Sequence, residues 1–159
     1  MGRQVATVGA IACMLTIVGC ASSLEPRPPD GPGVTGRMIL LDDTGRPPIP
    51  DWGGGIVVIP ESALVDLWRR VGRKELDDLA YISFAVDTDM VGDLGGEIVP
   101  VDDDGHFRLT TAGPQLICRL RDSTTSGTTS GCDRVDLPVS GSLTVTFGEG
   151  GFHAETTQP

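Results

Sequence analysis

The chain has 159 residues, with 12 Lys and Arg against 22 Asp and Glu, and four cysteines. That length suits one domain, and the residues after position 19 carry eleven basic against 22 acidic side chains, because the first 19 hold Arg3 and no acid. A surface of that sign repels phosphates, whose binding depends on Lys and Arg displacing counterions, so nucleic acid is excluded as a partner; the absence of Asn excludes N-linked glycosylation.

At the N-terminus, Arg3 precedes an uncharged, mostly apolar run from Val5 to Val18. Its 14 residues fit the apolar region of an export signal and fall short of the ~20 that a membrane-spanning helix needs. The stretch Ile17-Val18-Gly19-Cys20 that ends it resembles the bacterial lipobox. A small residue before the cysteine gives a signal peptidase access to the scissile bond, and the thiol is the nucleophile that takes the lipid. The resemblance implies a lipoprotein: residues 1–19 are removed, and Cys20 is lipidated as the first mature residue. N-myristoylation does not compete, because position six is Ala6 instead of Ser or Thr. Residues 20–33, with Pro26, Pro28, Pro29 and Pro32, read as a semi-rigid tether.

From Val34 onward short alternating runs are broken by Gly, Pro and Asp, the pattern of antiparallel sheets. Val34–Leu41 alternates, and Asp42-Asp43-Thr44-Gly45 reads as a turn. Ile56–Ile59 is a continuous apolar run suited to a buried strand. Glu61–Val71 differs, since Leu64, Leu67, Trp68 and Val71 form a helical stripe that Gly72 ends; this helix is expected to cap one end of a sandwich. Ala80, Ile82, Phe84 and Val86 make a further strand stripe. Glu97–Val101 and Phe107–Leu109 flank Asp102-Asp103-Asp104-Gly105, a hairpin signal. Leu116–Leu120, Val135–Leu137 and Leu143–Phe147 complete the set, and the Ser/Thr/Gly-rich Asp122–Gly131 reads as a loop. The expected fold is all-β: an antiparallel β-sandwich of about seven to eight strands with one inserted short helix, over residues 34–155, with 156–159 a disordered tail.

Cys13 leaves with the signal and Cys20 takes the lipid, so Cys118 and Cys132 remain as two exported thiols and are expected to pair. A metal site is the weaker reading, because neither a CxxC nor a nearby His completes a ligand set. The parity of Val135 and Leu137 places Cys132 on the opposite face if it shares their strand, so it is assigned to a bend before that strand.

Two stretches carry a family resemblance. Val34-Thr35-Gly36-Arg37-Met38, Asp42-Asp43-Thr44-Gly45-Arg46-Pro47 and Gly55-Ile56-Val57-Val58-Ile59 resemble the opening of carboxypeptidase-regulatory-like domains. Val101-Asp102-Asp103-Asp104-Gly105-His106-Phe107-Arg108-Leu109 resembles their second half. The resemblance implies a transthyretin/Ig-like sandwich acting as a non-catalytic module. It transfers no catalytic residue, and it implies Phe107 and Leu109 inward with His106 and Arg108 outward.

Catalytic constellations do not emerge from the residues. His106 and His153 lack a partner at metal-ligand or general-base spacing, and the glycine clusters lack the Gly-Lys-Ser/Thr ending of a phosphate loop. Adjacent aspartates on one turn do not face each other across a substrate as glycosidase carboxylates must. Asp102 and Asp104 are the candidates for calcium, with Asp42, Asp43, Asp87 and Asp89 as further acidic neighbours, but EF-hand spacing is missing and a solvated acidic turn is the ordinary reading. Trp68 belongs to the helical stripe and is assigned to the core. Trp52, in a Pro- and Gly-rich loop, is either a stacking platform for a sugar or peptide or a plug in the open end of the sandwich, with the plug favoured. The sequence therefore predicts a lipid-anchored module on the extracytoplasmic side of the cell membrane, held in the bilayer through Cys20. It binds an envelope protein or glycan or serves structurally, without cofactor; an envelope hydrolase or a carbohydrate-binding adhesion lipoprotein is the alternative.

Overall fold

The computed structural model describes residues 32–42, 44–73, 78–121 and 123–157. The expected signal peptide, Cys20 and nearly all of the expected tether lie outside the described residues.

The described residues are mostly β, with ten strands in two sheets. In the first sheet, β1 (Gly33–Leu40) is central. On one side it pairs with the short β2 (Ile49–Pro50) near its end and, near its start, with β6 (His106–Leu109). On the other side it pairs in parallel with β9 (Ser140–Gly148), from Gly33 opposite Ser140 to Leu40 opposite Phe147. β10 (Gly151–Thr157) completes this sheet as the hairpin partner of β9. The second sheet has the order β4 (Ala85–Asp87), β8 (Ser126–Leu137), β7 (Gly113–Leu120), β3 (Gly55–Pro60) and β5 (Glu97–Pro100). All of its pairings are antiparallel.

Two apolar layers result. Val34, Met38, Phe107, Leu109, Leu143, Val145 and Phe152 from the first sheet meet Ile56, Val58 and Ile117 from the second. The other face of the second sheet, with Val57, Ile59, Leu116, Cys118, Leu120 and Cys132, is also buried. It is covered by α1 (Leu64–Arg70), by α2 (Thr88–Asp93) and by the extended segment Ile82–Val86. The unbroken apolar run Ile56–Ile59 has its physical reason here, since a strand buried on both faces needs apolar residues at every position.

The helix therefore sits elsewhere than the stripe suggested. Leu64, Leu67 and Trp68 lie over the outer face of the second sheet instead of capping an end. Trp68 is core, with its ring edge-to-face against Phe84 at 5.9 Å. The helix starts with a 3-10 turn at Glu61–Ala63 and ends at Gly72, whose φ of +67° only glycine adopts without strain.

Four other expectations change. The Asp-Gly turn does close locally, with the Gly105 N–H donating to Asp102 O, but β5 and β6 then enter different sheets and form no hairpin ladder. Only Ala85–Asp87 of the Ala80–Val86 stripe is a ladder strand; Ile82 and Phe84 are buried in extended backbone that hydrogen-bonds to Gly131 and Thr129 of β8. The loop assigned to Asp122–Gly131 is shorter, because β8 begins at Ser126. The last strand runs through Thr157, two residues beyond the expected boundary of the domain.

β10 would expose its outer edge, and Asp133 of β8 blunts it by accepting the Ala154 N–H at 2.9 Å. Close backbone approach is secured by Gly36, where an added Cβ would stand 2.1 Å from the Phe107 ring. No helix among the described residues is long and apolar enough to cross a membrane.

Candidate functional site

Trp52 is 65% exposed, so it does not plug the sandwich. It stands where β1 and β2 end and β3 has yet to begin, flanked by Asp51 and by Gly53, whose φ is +84°. Leu41 and Ile49, also exposed, belong to the same connection. The plug is formed by its neighbour instead. Asp51 is only 7% exposed, and its carboxylate accepts both Nε and Nη2 of Arg119, at 2.5 and 2.8 Å. The fork geometry of guanidinium and carboxylate makes this a bidentate, charge-assisted contact. Arg119 Nη1 donates to Ser130 Oγ at 3.0 Å, and the guanidinium lies 4.9 Å from the centre of the Phe147 ring. The Asp51 N–H donates to Met38 O, which ties the loop back to β1. One network thus joins β1, β7, β8 and β9 through the residue that precedes Trp52. The loop that carries Trp52 is braced on its inner side, while the indole is offered outward.

The alternation of Leu116, Cys118 and Leu120 hides Arg119, because it reads as the outward residue of a one-sided strand. The second sheet is covered on both faces, so the residues between those three point into the space between the sheets. The same two-sided burial settles Cys132. It belongs to β8, directly opposite Cys118 in register, and it does face away from Val135 and Leu137. The two form a disulfide with Cα atoms 4.0 Å apart. The bend assigned to Cys132 is absent; a register shift between Cys118 and Leu120 follows instead.

The aspartates are dispersed. Asp102 Oδ1 accepts the N–H groups of Asp104 and His106, at 3.0 and 2.7 Å, and so shapes its own turn. Asp42 accepts Thr44 N–H and Asp87 caps α2 by accepting Met90 N–H. Asp43 lies outside the described residues. No group of three His, Cys, Asp or Glu that could hold a metal ion occurs among the described residues, so Asp102 and Asp104 are not brought together with further ligands. His106 and Arg108 are half-buried beside the inward Phe107 and Leu109. His106 Nδ1 is 3.7 Å from Asp102 Oδ1, and His153 Nε2 is 2.8 Å from Gly150 O.

No protein-family model and no curated protein matches the chain. A crystal structure of a "putative carbohydrate binding protein" from Pseudomonas aeruginosa aligns with 76% of this chain and 99% of its own, at 12% sequence identity and a TM-score of 0.43.

Proposed function

We propose that the chain is a lipid-anchored module on the extracytoplasmic side of the cell envelope that binds a glycan through its Trp52 end. The observation that carries the reading is a 65% exposed indole next in sequence to Asp51, which is buried in a bidentate pair with Arg119. An exposed tryptophan costs solubility, and a flat apolar face suits stacking against a sugar ring.

Geometry relative to the tether supports the same reading. The chain enters the domain at Gly33, and β1 then runs eight residues, roughly 26 Å at about 3.3 Å each, before reaching the Trp52 connection. An anchor at Cys20 would therefore leave Trp52 at the end remote from the membrane. The likeness of Val34–Leu109 to carboxypeptidase-regulatory-like domains is in keeping with a module that holds rather than cuts.

The test is a titration of the protein with soluble peptidoglycan fragments and other envelope oligosaccharides, followed by tryptophan fluorescence. Trp52 is the exposed fluorophore and Trp68 the buried one, so a ligand-dependent change should vanish in Trp52→Ala. Affinity in the variant, read by isothermal titration calorimetry because the reporting indole is gone, should fall by about tenfold, the equivalent of ~1.4 kcal/mol of stacking. Stability should change by less than about 0.5 kcal/mol, as for other exposed positions. Wild-type affinity in Trp52→Ala would sink this site.

A further inference from the structure

The loop that carries Trp52 does not stand alone at its end of the sandwich. The acidic turn Asp102–Asp104 lies alongside it and is tied to it at both ends. At one end the Val101 N–H donates to Gly54 O at 3.1 Å. At the other, a Cβ on Gly105 would stand 3.3 Å from Pro50 Cβ, so the two segments are in close contact. Met38 of β1 holds both, since its N–H donates to Gly105 O at 2.7 Å and its carbonyl accepts the Asp51 N–H at 3.1 Å. The two ties keep the register of the β3–β5 ladder, in which Gly55 stands opposite Pro100. Trp52 therefore falls level with Asp103.

Asp102, Asp103 and Asp104 are all exposed, and their charge is not balanced locally. Asp102 has His106 at 3.7 Å, and its Oδ1 also holds the turn. Among the described residues the carboxylates of Asp103 and Asp104 have no ion-pair partner. The nearby arginines are engaged elsewhere, Arg46 by Asp42 at 3.8 Å and Arg119 by the buried Asp51. Leu41 and Ile49, 45% and 54% exposed, add apolar surface in the connection that carries Trp52. This end thus combines an exposed apolar patch with an anionic rim.

We infer that the glycan taken by this end carries free ammonium groups: it is an amino sugar whose nitrogen is not acylated. The inference rests on the Trp52 reading and specifies its ligand. A sugar ring stacked on the indole brings its substituents over the neighbouring turn, whose carboxylates attract a cation and repel a carboxylate, phosphate or sulfate. The indole acts in the same direction, because its face attracts an ammonium within ~6 Å of the ring centre. Exposed charges act through water, so the preference is moderate and sensitive to salt. A metal ion is a poorer match, since no group of three His, Cys, Asp or Glu that could hold one occurs among the described residues.

The experiment is isothermal titration calorimetry of the full-length protein in a nonionic detergent, with the trimer of glucosamine and the trimer of N-acetylglucosamine as probes. A mildly acidic buffer keeps the amines protonated. At low salt the glucosamine trimer should bind about tenfold more tightly, and the margin should shrink as salt is raised. In Asp103→Asn/Asp104→Asn the margin should fall below about threefold. The urea unfolding midpoint of that variant should match wild type, because both side chains are exposed. Equal affinity for the two trimers, or a margin that survives the double variant, would overturn the assignment. So would wild-type affinity for the glucosamine trimer in Trp52→Ala, which would place the attraction away from the indole. Tighter binding of trilysine than of the glucosamine trimer would overturn it in favour of a cationic peptide. Binding of the N-acetylated trimer alone refutes the free amine and leaves the Trp52 reading standing. Binding of neither trimer also refutes the free amine, and the Trp52 reading then falls only if the fluorescence titration with the other oligosaccharides is silent as well.

Discussion

Arg119 makes the strongest demand on a single residue in this domain. Its side chain is 13% exposed and that of Asp51 8%, so neither charge is well solvated without the other. The exposed pairs Asp66–Arg69 and Arg70–Asp93 stand in contrast, because such pairs contribute only ~0–1 kcal/mol. Arg119→Ala would leave the Asp51 carboxylate buried and uncompensated, and a loss of about 3 kcal/mol in urea unfolding is expected. Replacing both partners by apolar residues of similar volume should restore most of that loss, because the penalty comes from the orphaned charge. A deficit below ~1 kcal/mol in Arg119→Ala would show the network to be solvated. Neither Asp51 nor Arg119 was legible in the sequence: one sits in a Pro-rich connection, the other at what reads as a solvent-facing position.

At the scale of elements, β7 and β8 form the spine that links both apolar layers. Their disulfide lies on the helix-covered face, with Cys118 and Cys132 at most 1% exposed. It closes a sequence separation of 14 residues, which is worth roughly 3 kcal/mol in the chain-entropy picture. The bond should resist thiol reductants in the native protein and yield in denaturant with a mass gain of two hydrogens. The Cys118→Ala/Cys132→Ala protein should unfold at a correspondingly lower urea concentration. Two free thiols titrated in denatured, unreduced protein would contradict the pairing. The strands themselves were readable from their alternation, and α1 from its stripe. The partner that each strand face meets was not readable, because period-two patterning says which residues share a face and is silent on what covers it.

For the whole molecule, the proposed lipid attachment is the reading that the sequence addresses most directly. Cys20→Ala should leave the protein unprocessed or released into the soluble fraction, because stable anchoring depends on several acyl chains at ~0.8 kcal/mol per buried CH₂. Detergent-phase partitioning equal to wild type would refute the lipid. By itself the sequence determined the all-β class, the helix stripe and the core position Trp68, since local periodicity and residue chemistry suffice for these. Only the tertiary structure decided that β1 and β9 run parallel, that the second sheet is covered on both faces, and that Trp52 is exposed while Asp51 before it is buried in an ion pair. Each depends on contacts between residues far apart in the chain, such as Asp51 with Arg119 and Leu40 with Phe147, and no local pattern encodes which distant surface a segment will meet.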